Sequence, residues 1–440
     1  MQAQIPETKA AAGFPVEIRA KAKRLFMHFV IPIYWVLLML WQILRPVENR
    51  SITDIGVKAL LLGSLLSYVV LKSYCRKINL TGLLFLILYT LLQVLSHLNN
   101  YDLFKISCII DIIFSFCIIF AFLILNNDYV ITKDELILFS RIIVGIVFVL
   151  CIYADLFQFD KIIAAINTKS GYFNAVSSIV ATNHEFGLYL SFGITSCGFL
   201  LFNSKGTLWK KIKYYFLIAL FFFNMILTFS RTSLASVILA TAIAIFAMKK
   251  HRLAFFCLTF LMIIGILLND NLKDFIFNIV LRVHHDGNRE VLVRGGLSYY
   301  IRGSIRDILI GVGPSQTVLY AGEISDSVNF HNAYITILLN GGLAMMMFFL
   351  YIVVDNLGNG FKVLRYSRCD GAYMLAVCIV MLLYMWGQTP VIFSPDLVSS
   401  MLTFYCIIIP KYYYNYHRSE IKGSNNSKTA INYIKLCRNY

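Results

Sequence analysis

Apolar runs long enough to cross a bilayer recur along almost the whole of this chain, and that recurrence limits its fold more than any other feature. LFMHFVIPIYWVLLMLWQIL is the first of them, and a helix needs about 20 such residues to span the hydrocarbon layer. A transmembrane β-barrel would instead show alternating segments of about ten residues, and the runs here do not alternate. Charged residues make up 14% of the 440, against about 25% in soluble domains. The expected fold is all-α and polytopic, with spans near 25–44, 55–71, 80–97, 106–125, 136–154, 185–203, 214–229, 232–248, 253–269, 332–354, 371–388 and 396–410.

The formal net charge of +16 does not point to nucleic acid, because Lys and Arg lie in the connections between apolar runs. Their bias sets the expected orientation. With the N-terminus cytoplasmic, the N-tail, 72–77, 126–135, 204–213, 249–252, 355–370 and the C-tail hold about 25 of the 39 basic residues. Twelve spans of the inner membrane with both termini cytoplasmic follow, dividing the chain into a tail 1–24, a membrane domain 25–410 and a tail 411–440. The basic N-terminal segment lacks a small-residue cleavage site and reads as a tail, not a cleaved signal. The ten cysteines show no C-x-x-C spacing and read as apolar packing residues.

Two non-cytoplasmic loops are long, 155–184 and 270–331, the second long enough to hold helices of its own. Loops of that length are usually functional. The spans carry few ionisable residues, with Asp111 and Arg141 toward span ends. Ion-coupled transporters usually place such residues deep in the bilayer, so a transporter is the lesser alternative.

The second loop holds Arg282, Arg289, Arg294, Arg302 and Arg306. On one continuous helix Arg294, Arg302 and Arg306 fall within an arc of about 120°. Either the helix lies on the leaflet with its arginines reaching lipid phosphates, or some of them clamp a substrate diphosphate, for which the planar guanidinium is suited. LTFSRTSLAS puts Arg231 in a tight turn between two spans, as a headgroup anchor or a phosphate ligand. FHNAYITILLNGGLAMMM puts His331 and Asn332 where the loop returns to the membrane. His331 suits general-base work near neutral pH, and Asn332 suits a helix cap. Gly341 and Gly342 would allow close helix packing. His284-His285-Asp286 is a poor metal site, since adjacent histidines seldom converge on one ion.

In this order, these elements resemble the O-antigen ligase and O-antigen polymerase family of bacterial membrane glycosyltransferases. The resemblance rests on Ser230-Arg231, on Arg294 ahead of Gly311-Val312-Gly313, on Arg306 with Gly322, and on His331-Asn332 with Gly342. A weaker echo lies at Asn183-His184-Glu185-Phe186-Gly187. Met345 stands where the family has a second glycine, and the tryptophan usual after the loop arginine is replaced within GGLSYY.

The resemblance implies transfer of a glycan from undecaprenyl diphosphate to an acceptor hydroxyl, with no cofactor or metal. It assigns diphosphate neutralisation to Arg231 and Arg294, and acceptor activation to His331. Arg289, Arg302, Arg306 and Asn332 are candidate substrate-binding residues. The acceptor is a second lipid-linked glycan in the polymerase reading and lipid A–core in the ligase reading. A chain-length regulator is a further partner, alongside the bilayer itself.

Overall fold

The computed structural model describes residues 80–99, 131–167, 175–180, 182–203, 208–248, 287–325 and 330–388, with scattered residues between 109 and 116 and between 409 and 415. The expected spans near 25–44, 55–71 and 253–269, most of 106–125 and 396–410, the N-tail, nearly all of the C-tail and His284-His285-Asp286 lie outside the described residues.

Within the described residues every regular element is a helix. They are α1 (Leu80–Leu98), α2 (Lys133–Phe157), α3 (Phe159–Asn167), α4 (Asn183–Asn203), α5 (Leu208–Leu227), α6 (Arg231–Met248), α7 (Gly287–Arg302), α8 (Ile305–Ile310), α9 (Pro314–Ser325), α10 (Ala333–Tyr366) and α11 (Arg368–Gly387). By length and composition α2, α4, α6, α10 and α11 can cross a membrane. The chain therefore forms a helical membrane protein. Helix starts follow local chemistry: α2 opens on a capping box between Thr132 and Glu135, which satisfies two otherwise unpaired backbone N–H groups.

α6 packs most extensively on α11, and α11 in turn on α10. Small residues permit the close approach of helices without a hydrophobic drive between them. A Cβ on Gly187 of α4 would collide with Ser233 of α6, and one on Gly387 of α11 would lie 2.5 Å from Cγ2 of Thr232. Between α4 and α6 the Ser191 hydroxyl reaches the Ser233 carbonyl and the Ser236 hydroxyl, each at 3.4 Å. A second, smaller core of Leu292, Val312, Ala321, Phe330, Ile335 and Leu339 joins α7, α9 and the start of α10. The expected 270–331 loop is thus, over its described part, a helical cap with its own apolar centre.

α10 explains how that cap is held. A straight helix of its 34 residues is about 51 Å long, and one of α11's 20 residues about 30 Å, at 1.5 Å per residue. Both leave the same turn at Ser367, so two straight helices would end roughly 20 Å apart. Instead Asn332 at the far end of α10 donates through Nδ2 to the Trp386 carbonyl of α11 at 3.1 Å. α10 must therefore bend, and it does so at Gly342, whose φ of 64° and ψ of −165° are essentially restricted to glycine.

The break frees backbone carbonyls that a continuous helix would use. Val312 N–H donates to Leu339 O at 2.7 Å, and the Ser96 hydroxyl of α1 donates to Asn340 O. Leu309 and Gly311 wedge directly into the break. A Cβ on Gly342 would lie 2.5 Å from the Leu309 carbonyl, and one on Gly311 (φ 80°) 2.5 Å from that of Asn340. The spacing between His331-Asn332 and Gly342 thus measures the arm, Ala333–Gly341, that returns to α11.

Two expectations are corrected. The 16-residue connection expected at 355–370 is reduced to Ser367, because α10 continues to Tyr366. Its polar last turns bury Asn356, Asn359, Gly360 and Val363, and Asn356 Nδ2 reaches Cys378 Sγ at 3.7 Å. Nor is there one helix carrying Arg294, Arg302 and Arg306. α7 runs through the glycine pair and stops at Arg302, and α8 begins anew from a capping box between Ser304 and Asp307, so the single arc is not formed.

The two ends of the bundle collect different segments. At one end the carboxylate of Asp370, fully buried, accepts from the Tyr413 hydroxyl at 2.5 Å and lies 3.5 Å from Lys133 Nζ. Asn203 meets Cys369 there as well. At the other end lie residues 175–180, the turn before Arg231, the α7–α9 cap and the start of α10.

Candidate functional site

The turn between α5 and α6 is built from its own side chains. Thr228 Oγ1 donates to Met225 O at 2.7 Å and accepts from Ser230 N at 3.2 Å. Phe229 takes a left-handed φ of 50°, uncommon for a bulky residue. Asn183 clamps the turn from α4, its Nδ2 donating to Thr228 O at 2.7 Å, and Val176 N donates to Leu227 O at 3.0 Å. Arg231 is consequently the first residue of α6, with Nε and Nη2 buried.

The first long loop joins this turn through a residue of the Asn183–Gly187 motif. His184 is buried. Its Nδ1 lies 3.2 Å from Ser230 Oγ, and its Nε2 accepts from Arg289 Nη2 at 3.1 Å. Ser230 Oγ also contacts Ser233 Oγ at 2.8 Å. A polar line therefore runs from α6 through His184 to Arg289 in the first turn of α7.

His331 closes the site from the side of α10. Its φ is 48°, a strained conformation for a non-glycine residue that costs about 1–3 kcal/mol and concentrates at functional sites. Burial, and then the nearby charge of Arg289, lower its pKa below the ordinary histidine value, so the imidazole is neutral at pH 7. Asn332 Oδ1 accepts from Tyr334 N at 3.0 Å and Ile335 N at 3.1 Å. With its Nδ2 on Trp386 O, the whole amide of Asn332 joins α10 to α11.

Of the residues singled out in the sequence, Arg231, Arg289, His331 and Asn332 gather at this end of the bundle, around the starts of α4, α6, α7 and α10. Arg294 points elsewhere, being five residues or about 140° around α7 from Arg289. Its side chain is 79% exposed and pairs with Glu290 at 2.5 Å. Arg302 and Arg306 are exposed on the cap. Arg306 faces Asp307, whose carboxyl would be raised by burial; hydrogen bonds from Ser304 and Asn99, with the charge of Arg306, outweigh this and hold it below the usual range.

The N-terminal end of a helix carries a partial positive charge, and Arg231 and Arg289 add cations to two such ends. The first turns of α6 and α10 contain no acid; that of α4 has Glu185, and that of α7 has Glu290, already engaged by Arg294. Helix starts bearing cations form a binding place for phosphate-like groups.

His184 is the residue that sequence reading did not single out as a site member. The echo motif marks its position, but its two contacts come from segments 46 and 105 residues away, and no local pattern encodes them. A scan against protein-family models and a search of curated proteins each return no match for the chain.

Proposed function

We propose that this protein is a membrane glycosyltransferase of the O-antigen polymerase type, acting on undecaprenyl-diphosphate-linked glycans at the non-cytoplasmic face of the inner membrane. The observation that carries the reading is Arg289, lying against His184 and beside His331 at one end of the bundle, where Arg231 opens α6. Twelve spans with both termini cytoplasmic put this end outside, in line with the basic residues of the opposite connections.

In this reading Arg231 and Arg289 bind the donor diphosphate and neutralise charge as it leaves. Neutral His331 takes the proton of an acceptor sugar hydroxyl as its oxygen attacks the anomeric carbon. The bond from that carbon to the diphosphate oxygen breaks, undecaprenyl diphosphate departs as the anion, and the anomeric centre inverts. Fixed cations aimed at developing charge commonly contribute the largest part of catalysis. Arg294 has a supporting role on the cap. The α7–α9 cap covers the site from outside and is suited to contact the glycan.

Deletion of the coding sequence tests the proposal through the lipopolysaccharide ladder. Lipopolysaccharide bearing a single repeat unit, with the ladder restored by the intact chain but not by Arg289→Ala or His331→Ala, is the expected result. A bare core with accumulated lipid-linked polymer would assign the ligase reaction instead. An unchanged ladder, or full rescue by both variants, would sink glycosyl transfer altogether.

A further inference from the structure

We propose that His184 is a positioning residue that holds Arg289 at the diphosphate, acting as a fixed neutral tautomer; this rests on the glycosyltransferase reading above. Guanidinium groups only donate hydrogen bonds. The 3.1 Å contact from Arg289 Nη2 therefore requires a lone pair on His184 Nε2, and the ring proton belongs on Nδ1, where it donates to Ser230 Oγ at 3.2 Å. The Ser230 hydroxyl is in turn hydrogen-bonded with that of Ser233, 2.8 Å away. The orientation of the imidazole is thereby set from behind by the α6 turn.

Three further observations fit positioning better than simple packing. His184 is buried while Arg289 is only partly so, so the histidine is the fixed element and the arginine the one being held. Arginine has much side-chain freedom to lose, and an acceptor on one nitrogen restricts it while leaving its other N–H donors for a ligand. The backbone under His184 is itself tied, since Asn183 is bonded to Thr228 O and Gly187 lies closely on Ser233. α4 thus carries its histidine to α7 at a defined height relative to Arg231.

A tautomer-specific acceptor also explains why a cation is tolerated against histidine here. A protonated His184 would lose the lone pair and place two cations 3.1 Å apart, releasing Arg289. The charged or titratable groups nearest this contact in the chain or by interaction are His331, whose pKa the charge of Arg289 lowers, Glu185, which follows His184, and Arg231, which follows Ser230.

The test uses the full chain in lipid nanodiscs, with undecaprenyl diphosphate as probe and undecaprenol as the control lacking the diphosphate. Dissociation constants are measured for the unmodified chain, Arg289→Ala, His184→Ala, His184→Gln and the double variant His184→Ala/Arg289→Ala. Thermal unfolding of each variant controls for folding. Coupled neighbours have non-additive effects, so the double variant should bind no more weakly than Arg289→Ala alone. His184→Ala should weaken binding about tenfold, the equivalent of one hydrogen bond to a charged group. His184→Gln, whose amide can accept from Arg289 and donate to Ser230, should recover most of the loss. Additive losses, or equal losses in His184→Ala and His184→Gln, would assign His184 a structural role and overturn the proposal. Unchanged binding by Arg289→Ala would overturn the diphosphate reading and, with it, this one.

Discussion

Protonation of His331 and the charge of Arg289 are coupled, because both groups face the same space at the start of α10. His331 has a lowered pKa, so the neutral imidazole, the form the proposed reaction needs, persists to a pH below the ordinary histidine value. The transfer rate should fall as pH drops through that lowered pKa. Removing the cation relieves part of the depression, so Arg289→Gln should move the acidic limb of the pH–rate profile to higher pH while lowering the rate at every pH. A limb that stays in place would mean that the two groups do not share the site. Arg289→Ala and Arg231→Ala should each reduce the rate by about 10²–10³-fold. Arg294→Ala, removing an exposed partner of Glu290, should cost far less, as measured by the same assay of released undecaprenyl diphosphate. Choosing Arg289 over Arg294 needs the helical phase of α7 and the position of its start. The sequence contains both arginines but neither of those facts. His184 was equally hidden, since its significance lies in contacts with Ser230 and Arg289 and not in its neighbours.

The broken helix α10 is the element on which the site's geometry depends. Any side chain at Gly342 meets the Leu309 carbonyl and must also adopt a backbone conformation that costs about 1–3 kcal/mol. Gly342→Ala should therefore lower the thermal midpoint of the detergent-solubilised protein and detach the Ala333–Gly341 arm from α11. Gly145→Ala in α2, where an added Cβ meets nothing within 4 Å, should be neutral or raise stability by up to about 1 kcal/mol. Equal effects of the two changes would show that the break does not matter. At this scale the sequence was legible where its signals are local. The apolar runs marked the ends of the described spans to within about six residues, the end of α10 excepted. The long continuation of α10 was not legible. Asp355, Asn356, Asn359 and Lys362 look like a loop, yet Asn356 and Asn359 are buried against other helices.

On the scale of the molecule, the bundle separates a polar anchoring end from the end that gathers the candidate site. Asp370, Lys133 and Tyr413 tie α2, α11 and the 409–415 segment together at the first; His184, Arg231, Arg289 and His331 meet at the second. In the proposed orientation, which follows the charge bias of the connections, the first end is cytoplasmic. A cysteine placed at exposed Ser304 should therefore react with a membrane-impermeant maleimide in intact cells, and one placed at Arg365 only after lysis, each compared with the parent chain. The opposite pattern would invert the orientation and put the site on the wrong side for a lipid-linked glycan assembled outside. Three segments far apart in sequence, 183–184, 230–231 and 287–332, converge because α4, α6, α7 and α10 all begin at this end. That shared polarity concentrates positive potential where a diphosphate would lie.

The most direct measurement is reconstitution of the purified chain in liposomes with an undecaprenyl-diphosphate-linked repeat unit. The account predicts glycan longer than one unit together with release of undecaprenyl diphosphate, both abolished by Arg289→Ala and by His331→Ala in protein that keeps its thermal midpoint. Elongation and release unaffected by both substitutions in correctly folded protein would contradict it.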